Sequence, residues 1–450
     1  MSGKKQIDEW ALDYWLLQQY AKFCFRIYFR KIEVINRQNI PEKRPLILAP
    51  NHQNALMDAM VLVCNTSFQN VFLARADIFK GKRLIRFLTY LNIMPIYRMR
   101  DGIENVKKND KVFEKTIRVL HNRNNPLCLF PEGNHGNKRR LRPLVKGLFR
   151  IALQAQEQFD REPAVKILPV GIDYGHYRHF RTTLFVNIGE PIEVADFMAA
   201  YHDSPVLAVN QLKDRFALAL SKQMIDIQSE EYYDLYMLLR VIFNQEMRKI
   251  LGIQENTLAA RFRADKIMID RLNRTLETDP EEIRQLDLQV KQYEQGLLKA
   301  GLRDWTVAGE RQSTGLLVIF ALAAALTLPV FLFGLINNVI PYHFTAGRTK
   351  NIKDTQFHSS FKYVTGMIAF PVWYLVIAVV LALSHLSSLQ ILSYILLLPL
   401  TGLFAFHYYI GLKKLSASWR FRLQRNTAAL TSLVNLRRAI LDLTRNVVNQ

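Results

Sequence analysis

A histidine and an aspartate six positions apart, His52 and Asp58, follow an apolar run in the stretch LILAPNHQNALMDAMVL, residues 46–62. An imidazole backed by a carboxylate is the pair that takes a proton from an alcohol at neutral pH, because the carboxylate fixes the tautomer and stabilises the imidazolium. The same residues also fit a capped turn with an Asp near a helix start. Three further segments carry chemistry. NIMPIYRMRDG, residues 92–102, delivers Arg98 and Arg100 from a strand-like run, and a guanidinium on a rigid element suits bidentate phosphate binding. LCLFPEGNHGNKRRLRPLVKG, residues 127–147, ends a buried run in Pro131-Glu132-Gly133 and continues into Lys138, Arg139, Arg140 and Arg142. A glycine there lets backbone N–H groups approach a ligand, and the basic cluster offers anion contacts. VKILPVGIDY, residues 165–174, is a strand interrupted at Pro169, and the apolar walls around Pro169 and Val170 can hold an acyl chain.

These groups need elements to position them. Residues 46–49 read as a short buried strand closed by Pro50 and residues 55–63 as an apolar helix, so His52 falls at a strand-to-helix junction, where reacting groups are commonly displayed. From 44 to 200, short apolar runs alternate with helical patterns such as 106–123 and 148–159, the signature of an α/β domain. Residues 201–312 read as a charged helical region. Three uncharged runs follow at 315–336, 363–383 and 389–410, each long enough to enter a bilayer. The charge rule favours a re-entrant 315–336, bent at Pro329, and a hairpin of 363–383 with 389–410, within a membrane segment spanning 313–412. The tail 413–450 reads as a basic interfacial helix on an anionic leaflet. Residues 1–43 hold another basic amphipathic helix, WALDYWLLQQYAKFCFRIYFRK, suited either to a membrane interface or to covering the folded domain.

Length and charge set bounds on this reading. A chain of 450 residues exceeds a single core, and a net charge of +21 calls for a polyanionic partner, whether nucleic acid, anionic lipid or a phosphorylated substrate. The three apolar runs, with no zinc-finger, RRM or KH signature, argue against nucleic acid. Cys24, Cys64 and Cys128 lack paired spacing and are expected to be reduced and buried. The early acidic residues Asp8, Glu9 and Asp13 interrupt any signal-peptide core, so the catalytic portion is expected on the cytoplasmic face of the cell membrane. His176 and His179 in GHYRHF read as a solvated loop, and no metal is assigned.

Taken together, the four segments resemble the glycerolipid acyltransferase superfamily in order, spacing and strand context over roughly residues 44–200. The resemblance implies a PlsC-like acyltransferase domain with a mixed sheet flanked by helices, followed by a helical region and a membrane-embedded helical segment. It implies His52 as general base and Asp58 as its orienting carboxylate. Arg98, Glu132, Gly133, Lys138, Arg139 and Arg140 would bind the acceptor phosphate, and Pro169 and Val170 the acyl chain. The implied reaction transfers an acyl group from acyl-CoA or acyl-carrier protein to glycerol 3-phosphate or 1-acylglycerol 3-phosphate, with no bound cofactor and no covalent enzyme intermediate. Backbone N–H groups near Gly133 are candidate oxyanion donors. A membrane-anchored protein that binds anionic lipid without catalysis is the alternative.

Two features depart from the commonest family pattern. Five residues separate His52 from Asp58 where four are usual, and Asn134 and His135 stand where Thr or Ser followed by Arg is frequent. A step of six on a regular helix would put the two side chains about 120° apart, so His52 is expected in the turn before the helix. Both features resemble the fungal-type glycerol-3-phosphate and dihydroxyacetone-phosphate branch.

Overall fold

The computed structural model describes residues 11–42, 45–97, 109–121, 125–159, 164–309 and 313–449. They fall into two compact units, Met1–Asp226 with Ile352–Tyr363, and Ile227–Asn351 with Val364–Gln450.

The first unit is built on a mixed sheet, eight-stranded among the described residues: β1 Lys31–Ile35, β2 Leu46–Pro50, β3 Val71–Arg75, β4 Ile93–Ile96, β5 Leu127–Cys128, β6 Lys166–Tyr174, β7 Thr183–Ile188 and β8 Ile192–Glu193. Their order is β1-β7-β6-β2-β5-β3-β4, with β8 paired to β6. From β6 to β4 all neighbours run parallel, while β7 turns antiparallel against β6. The C-terminal ends of β2, β4, β5 and β6 therefore open on one edge of the sheet, which is where parallel sheets present their sites.

β2 lies between β5 and β6 and is buried at all five positions, which explains its unbroken apolar sequence. Successive side chains alternate between faces. Ile47, Ala49, Leu127 and Ile167 join a core with Leu148, Phe149, Ile151 and Ala152 of α5 (Gly147–Gln158) and Leu212, Phe216 and Leu220 of α7 (Pro205–Gln223). On the other face Leu48, Leu168 and Val170 meet Val61 and Leu62 of α2 (Leu56–Asn65). Each fully buried Leu, Ile, Val or Phe among them contributes about 1.5–3 kcal/mol. The remaining helices of this unit are α1 Leu12–Tyr28, α3 Lys82–Tyr90, α4 Asn109–His121 and α6 Met198–Asp203.

The expected domain limits shift accordingly. The first unit does not end at 200, because α7 buries Ala208, Val209, Leu212, Phe216 and Leu220 in the sheet's core. It does not begin at 44 either, since β1 pairs with β7. α1 covers the folded domain with one face. It buries Tyr14, Gln18, Ala21, Phe25 and Tyr28 on the domain and leaves Leu12, Trp15, Leu16 and Phe23 exposed.

The second unit is helical: α8 Tyr233–Ile242, α9 Asn244–Ile250, α10 Leu258–Thr278, α11 Pro280–Ala300, α12 Asp304–Ala308, α13 Thr314–Gly347, α14 Phe357–Ala382, α15 Ser388–Leu423 and α16 Ala428–Asn449, α14 starting in the first unit. Thr257 and Asp279 cap α10 and α11 through the backbone N–H groups of Ala260 and Glu282. Three helices, Thr314–Asn351, Phe357–Ala382 and Ser388–Leu423, are long and apolar enough to cross a membrane.

Two membrane expectations are corrected here. The chain does not turn back at Pro329: α13 is one helix of 34 residues that continues through Pro329 and Pro341. A proline removes one ladder hydrogen bond without ending a helix whose neighbours hold it. α13, rather than α14, packs antiparallel along α15, where Gly334 and Gly402 admit the partner's backbone or side chain and Asn338 donates to the carbonyls of Gly334 and Leu398 at 2.9 and 3.1 Å. The tail is also not one interfacial helix. Its first part continues α15, and α16 buries Leu430, Leu433, Ile440, Val447 and Val448 against α10 and α11.

Candidate active site

β2 ends at Pro50, and Asn51 extends its pairing to β6 by both backbone and side chain, its N–H donating to the Val170 carbonyl at 3.2 Å. Its amide accepts from Ile172 N–H at 2.7 Å and donates to the Ile172 carbonyl at 3.1 Å. His52 then sits in a turn before α2, as the six-residue step requires. Ala55 takes φ of +44°, a conformation that costs a non-glycine residue energy and tends to occur where a site fixes it. This residue closes the longer turn and lets Asp58, in the first turn of α2, point back at the histidine.

Asp58 is fully buried and meets four donors. Its Oδ2 lies 2.9 Å from His52 Nδ1 and accepts the N–H groups of Gln53 and Asn54 at 2.8 and 2.7 Å. Its Oδ1 accepts the Tyr174 hydroxyl at 2.7 Å. A carboxylate facing donors alone makes Nδ1 the protonated nitrogen of His52, which leaves Nε2 as a lone-pair base. The Phe130 ring stacks on the imidazole at 4.0 Å and 23°, holding its plane. The His52 side chain is 14% exposed while that of Asp58 is fully covered, so solvent reaches the pair only through the histidine.

The turn after β5 braces this loop. Glu132 Oε1 accepts the backbone N–H of His52 at 2.9 Å, its Oε2 accepts from Arg142 Nε at 2.8 Å, and Gly136 N–H donates to the His52 carbonyl at 3.1 Å. Burial raises the Glu132 carboxyl above its ordinary value, against the pull of the His52 N–H and Arg142. Gly133 has φ of +67°, and its N–H donates to the Phe130 carbonyl at 3.0 Å. The Gly133 N–H, a candidate oxyanion donor, is thus committed to the turn.

The remaining site candidates are placed as follows. Arg98, with Arg100, lies outside the described residues. Lys138 is exposed and Arg140 half-buried on the same turn, while Arg139 Nε pairs with Asp173 at 2.6 Å and another of its nitrogens reaches the Tyr174 carbonyl. Pro169 and Val170 are buried in β6 opposite Ala49 and Pro50. Val170 lines an apolar cavity of about 20 Å³, on the order of a water or two and too small for an acyl chain without opening. Of the cysteines, Cys128 is buried and Cys24 and Cys64 are half-buried, all as free thiols. No group of three metal-ligating side chains occurs among the described residues.

For several residues the sequence reading missed the part they play in this arrangement. Tyr174 closes the quoted strand and looks there like one more apolar position. Arg142 appears only as one of several cations. His135 lies edge-on to His52, with ring centroids 5.6 Å apart. It is held by a distant stretch: its Nδ1 is 2.9 Å from the Gln356 side-chain amide, its Nε2 is 3.6 Å from Asp354, and Phe357 meets its ring edge-to-face at 5.0 Å. Ser359 donates to the Tyr177 carbonyl, and Tyr363 donates to the Ala21 carbonyl at 2.7 Å. Ile352–Tyr363 is thereby part of the unit that holds His52.

Residues 31–173 match the family model described as Acyltransferase, and that span contains His52, Asp58 and Glu132. Residues 31–173 are an acyltransferase-family domain. The chain is 31% identical over 139 residues to glycerol-3-phosphate O-acyltransferase 1 of Saccharomyces cerevisiae, covering 30% of this chain and 17% of that enzyme. It is 30% identical over 113 residues to glycerol-3-phosphate O-acyltransferase 2 of the same yeast, covering 25% and 15%. The match therefore spans less than a fifth of either yeast enzyme. The crystal structure of PlsC, the 1-acyl-sn-glycerophosphate acyltransferase of Thermotoga maritima, aligns with 46% of this chain and 79% of its own, at 21% identity and a TM-score of 0.33.

Proposed function

We propose that this protein is a membrane-bound O-acyltransferase that moves an acyl group from a thioester, acyl-CoA or acyl-carrier protein, to a hydroxyl of glycerol 3-phosphate or 1-acylglycerol 3-phosphate. The observation that carries this reading is the His52–Asp58 contact at 2.9 Å inside an acyltransferase-family domain, with Nε2 left as the base.

His52 Nε2 takes the proton of the acceptor hydroxyl as its oxygen attacks the thioester carbonyl. The tetrahedral intermediate then expels the thiolate, which recovers that proton from the imidazolium. Asp58 stabilises the imidazolium between these steps, and the donors around Asp58 keep it aimed at Nδ1. Arg98, Lys138 and Arg140 are the cations proposed for the acceptor phosphate, with Arg139 reaching it by exchange from Asp173. Glu132 serves this role indirectly, by holding Arg142 and the His52 loop in place. A buried nitrogen of Arg142, Nη2, has no hydrogen-bond partner among the described residues, which adds a further cation to this set. The apolar cavity beside Val170 is the proposed start of the acyl channel. The proposed setting is the cytoplasmic face of the cell membrane, with anionic phospholipid around the enzyme and no nucleic-acid partner.

The test is a panel of acceptors with the purified protein in detergent. Glycerol 3-phosphate, lysophosphatidate, dihydroxyacetone phosphate and neutral lysolipids are each offered with acyl-CoA and with acyl-carrier protein. Turnover of a phosphorylated glycerol acceptor supports the reading, and turnover of none contradicts it.

A further inference from the structure

α3 is a helix without a core. It crosses from β3 to the parallel edge strand β4, a place where a crossover helix ordinarily covers the sheet. Yet none of its nine residues is buried, and every residue from Lys80 to Phe87 is exposed. A helix this short is marginal in water without tertiary packing. Its sequence is nevertheless sharply two-sided. Leu84, Phe87 and Leu88 recur at helical spacing on one side, with Leu84 41% and Phe87 54% exposed. Lys82, Arg83 and Arg86 lie on the other side, and Lys80 precedes them. The acid in this stretch, Asp77, is paired with Arg75.

We infer that α3 is a second membrane-docking element of the acyltransferase unit, seated in the interface of a leaflet rich in anionic lipid. An apolar face flanked by cations suits that environment, where the side chains insert and the cations meet headgroups. The same chain carries three helices long and apolar enough to cross a membrane, so a bilayer is the apolar partner available to it. α3 also adjoins α1, since Tyr90 at its end meets the buried Tyr14 edge-to-face at 6.4 Å. The exposed Trp15 and Leu16 of α1 extend the docking surface beyond α3. This placement brings the β3–β4 edge to the lipid and rests on the proposed lipid acceptor only for its use, not for its geometry.

Amide hydrogen exchange tests it with the full chain in nanodiscs, one copy per disc, made from phosphatidylcholine alone or mixed with phosphatidylglycerol. The expected result is that peptides covering 82–90 exchange about tenfold more slowly or better in the anionic discs. The protection should be lost in a Leu84→Asp/Phe87→Asp variant whose β2 peptides remain protected as in the parent. Equal exchange of 82–90 in both lipids overturns the inference. So does protection that appears only with two copies per disc, which would make a second chain the occupant. Because no acyl transfer is measured, failure of the enzymatic reading leaves this result standing, and the converse also holds.

Discussion

Tyr174→Phe removes one oxygen and, with it, one of the four donors on Asp58. The hydroxyl lies 2.7 Å from Oδ1, on the side of the carboxylate away from His52. Burial, reinforced by the Asp58 charge, holds the phenol well above its ordinary value, so it acts as a donor throughout any practical assay range. A hydrogen bond to a charged acceptor contributes about 1.5–3 kcal/mol. Phe keeps the ring packing, and no bulk solvent reaches Asp58 to replace the donor. The full loss should appear in stability, as a fall in Tm of about 3–12 °C for a unit of this size. Three donors still aim the carboxylate at His52, so the rate suffers less. If about half the energy is specific to the aligned transition state, kcat falls about 3- to 13-fold. KM for the acceptor should not move, because Tyr174 does not touch substrate in the proposed mechanism. Calorimetry with steady-state kinetics separates these outcomes. Unchanged Tm and kcat, or a loss carried entirely by acceptor KM, would refute the view that Tyr174 positions the dyad.

Two further outcomes are expected. Arg98→Ala should raise acceptor KM roughly tenfold or more while leaving donor KM near its starting value, as loss of a charge-assisted phosphate contact requires; equal loss for both substrates, read from two-substrate kinetics, would make the residue structural. Burial, together with the neighbouring His52, holds His135 below its ordinary value. Its folded state therefore resists protonation, so its share of stability is complete above about pH 6.5 and is lost as pH falls below that. Denaturation measured from about pH 8 to about pH 5 should show a steeper acid loss in the parent than in His135→Gln, and identical slopes would contradict this.

The parts of the site legible in the sequence are those set by local pattern. The β2 run, the turn holding His52 and the first turn of α2 are contiguous, so the strand, the histidine and the aspartate could be placed from local pattern, while their roles came only from the family resemblance. Tyr174 could not, because it reaches Asp58 across 116 positions and only the pairing of β6 with β2 brings it there. The same holds for Asp354 and Gln356, which lie among polar residues between two apolar runs and carry no local sign that they belong beside His135. Glu132 and Gly133 were found as residues but not as a brace, since a sequence shows that a carboxylate is present but not which donors surround it. In the second unit, composition identified the apolar helices correctly. It could not show that α13 stays helical through Pro329, or that α16 turns its apolar stripe onto α10 and α11, because those outcomes depend on packing partners.

The central claim is that His52 is the base, and the most direct measurement is the rate of acyl transfer by purified His52→Ala with the acceptor the parent turns over. General-base catalysis contributes at least about a hundredfold, so the variant should fall to about one per cent of the parent or lower, with its Tm and membrane association preserved. A folded, membrane-bound His52→Ala protein that keeps more than about a tenth of the parent rate would contradict the account.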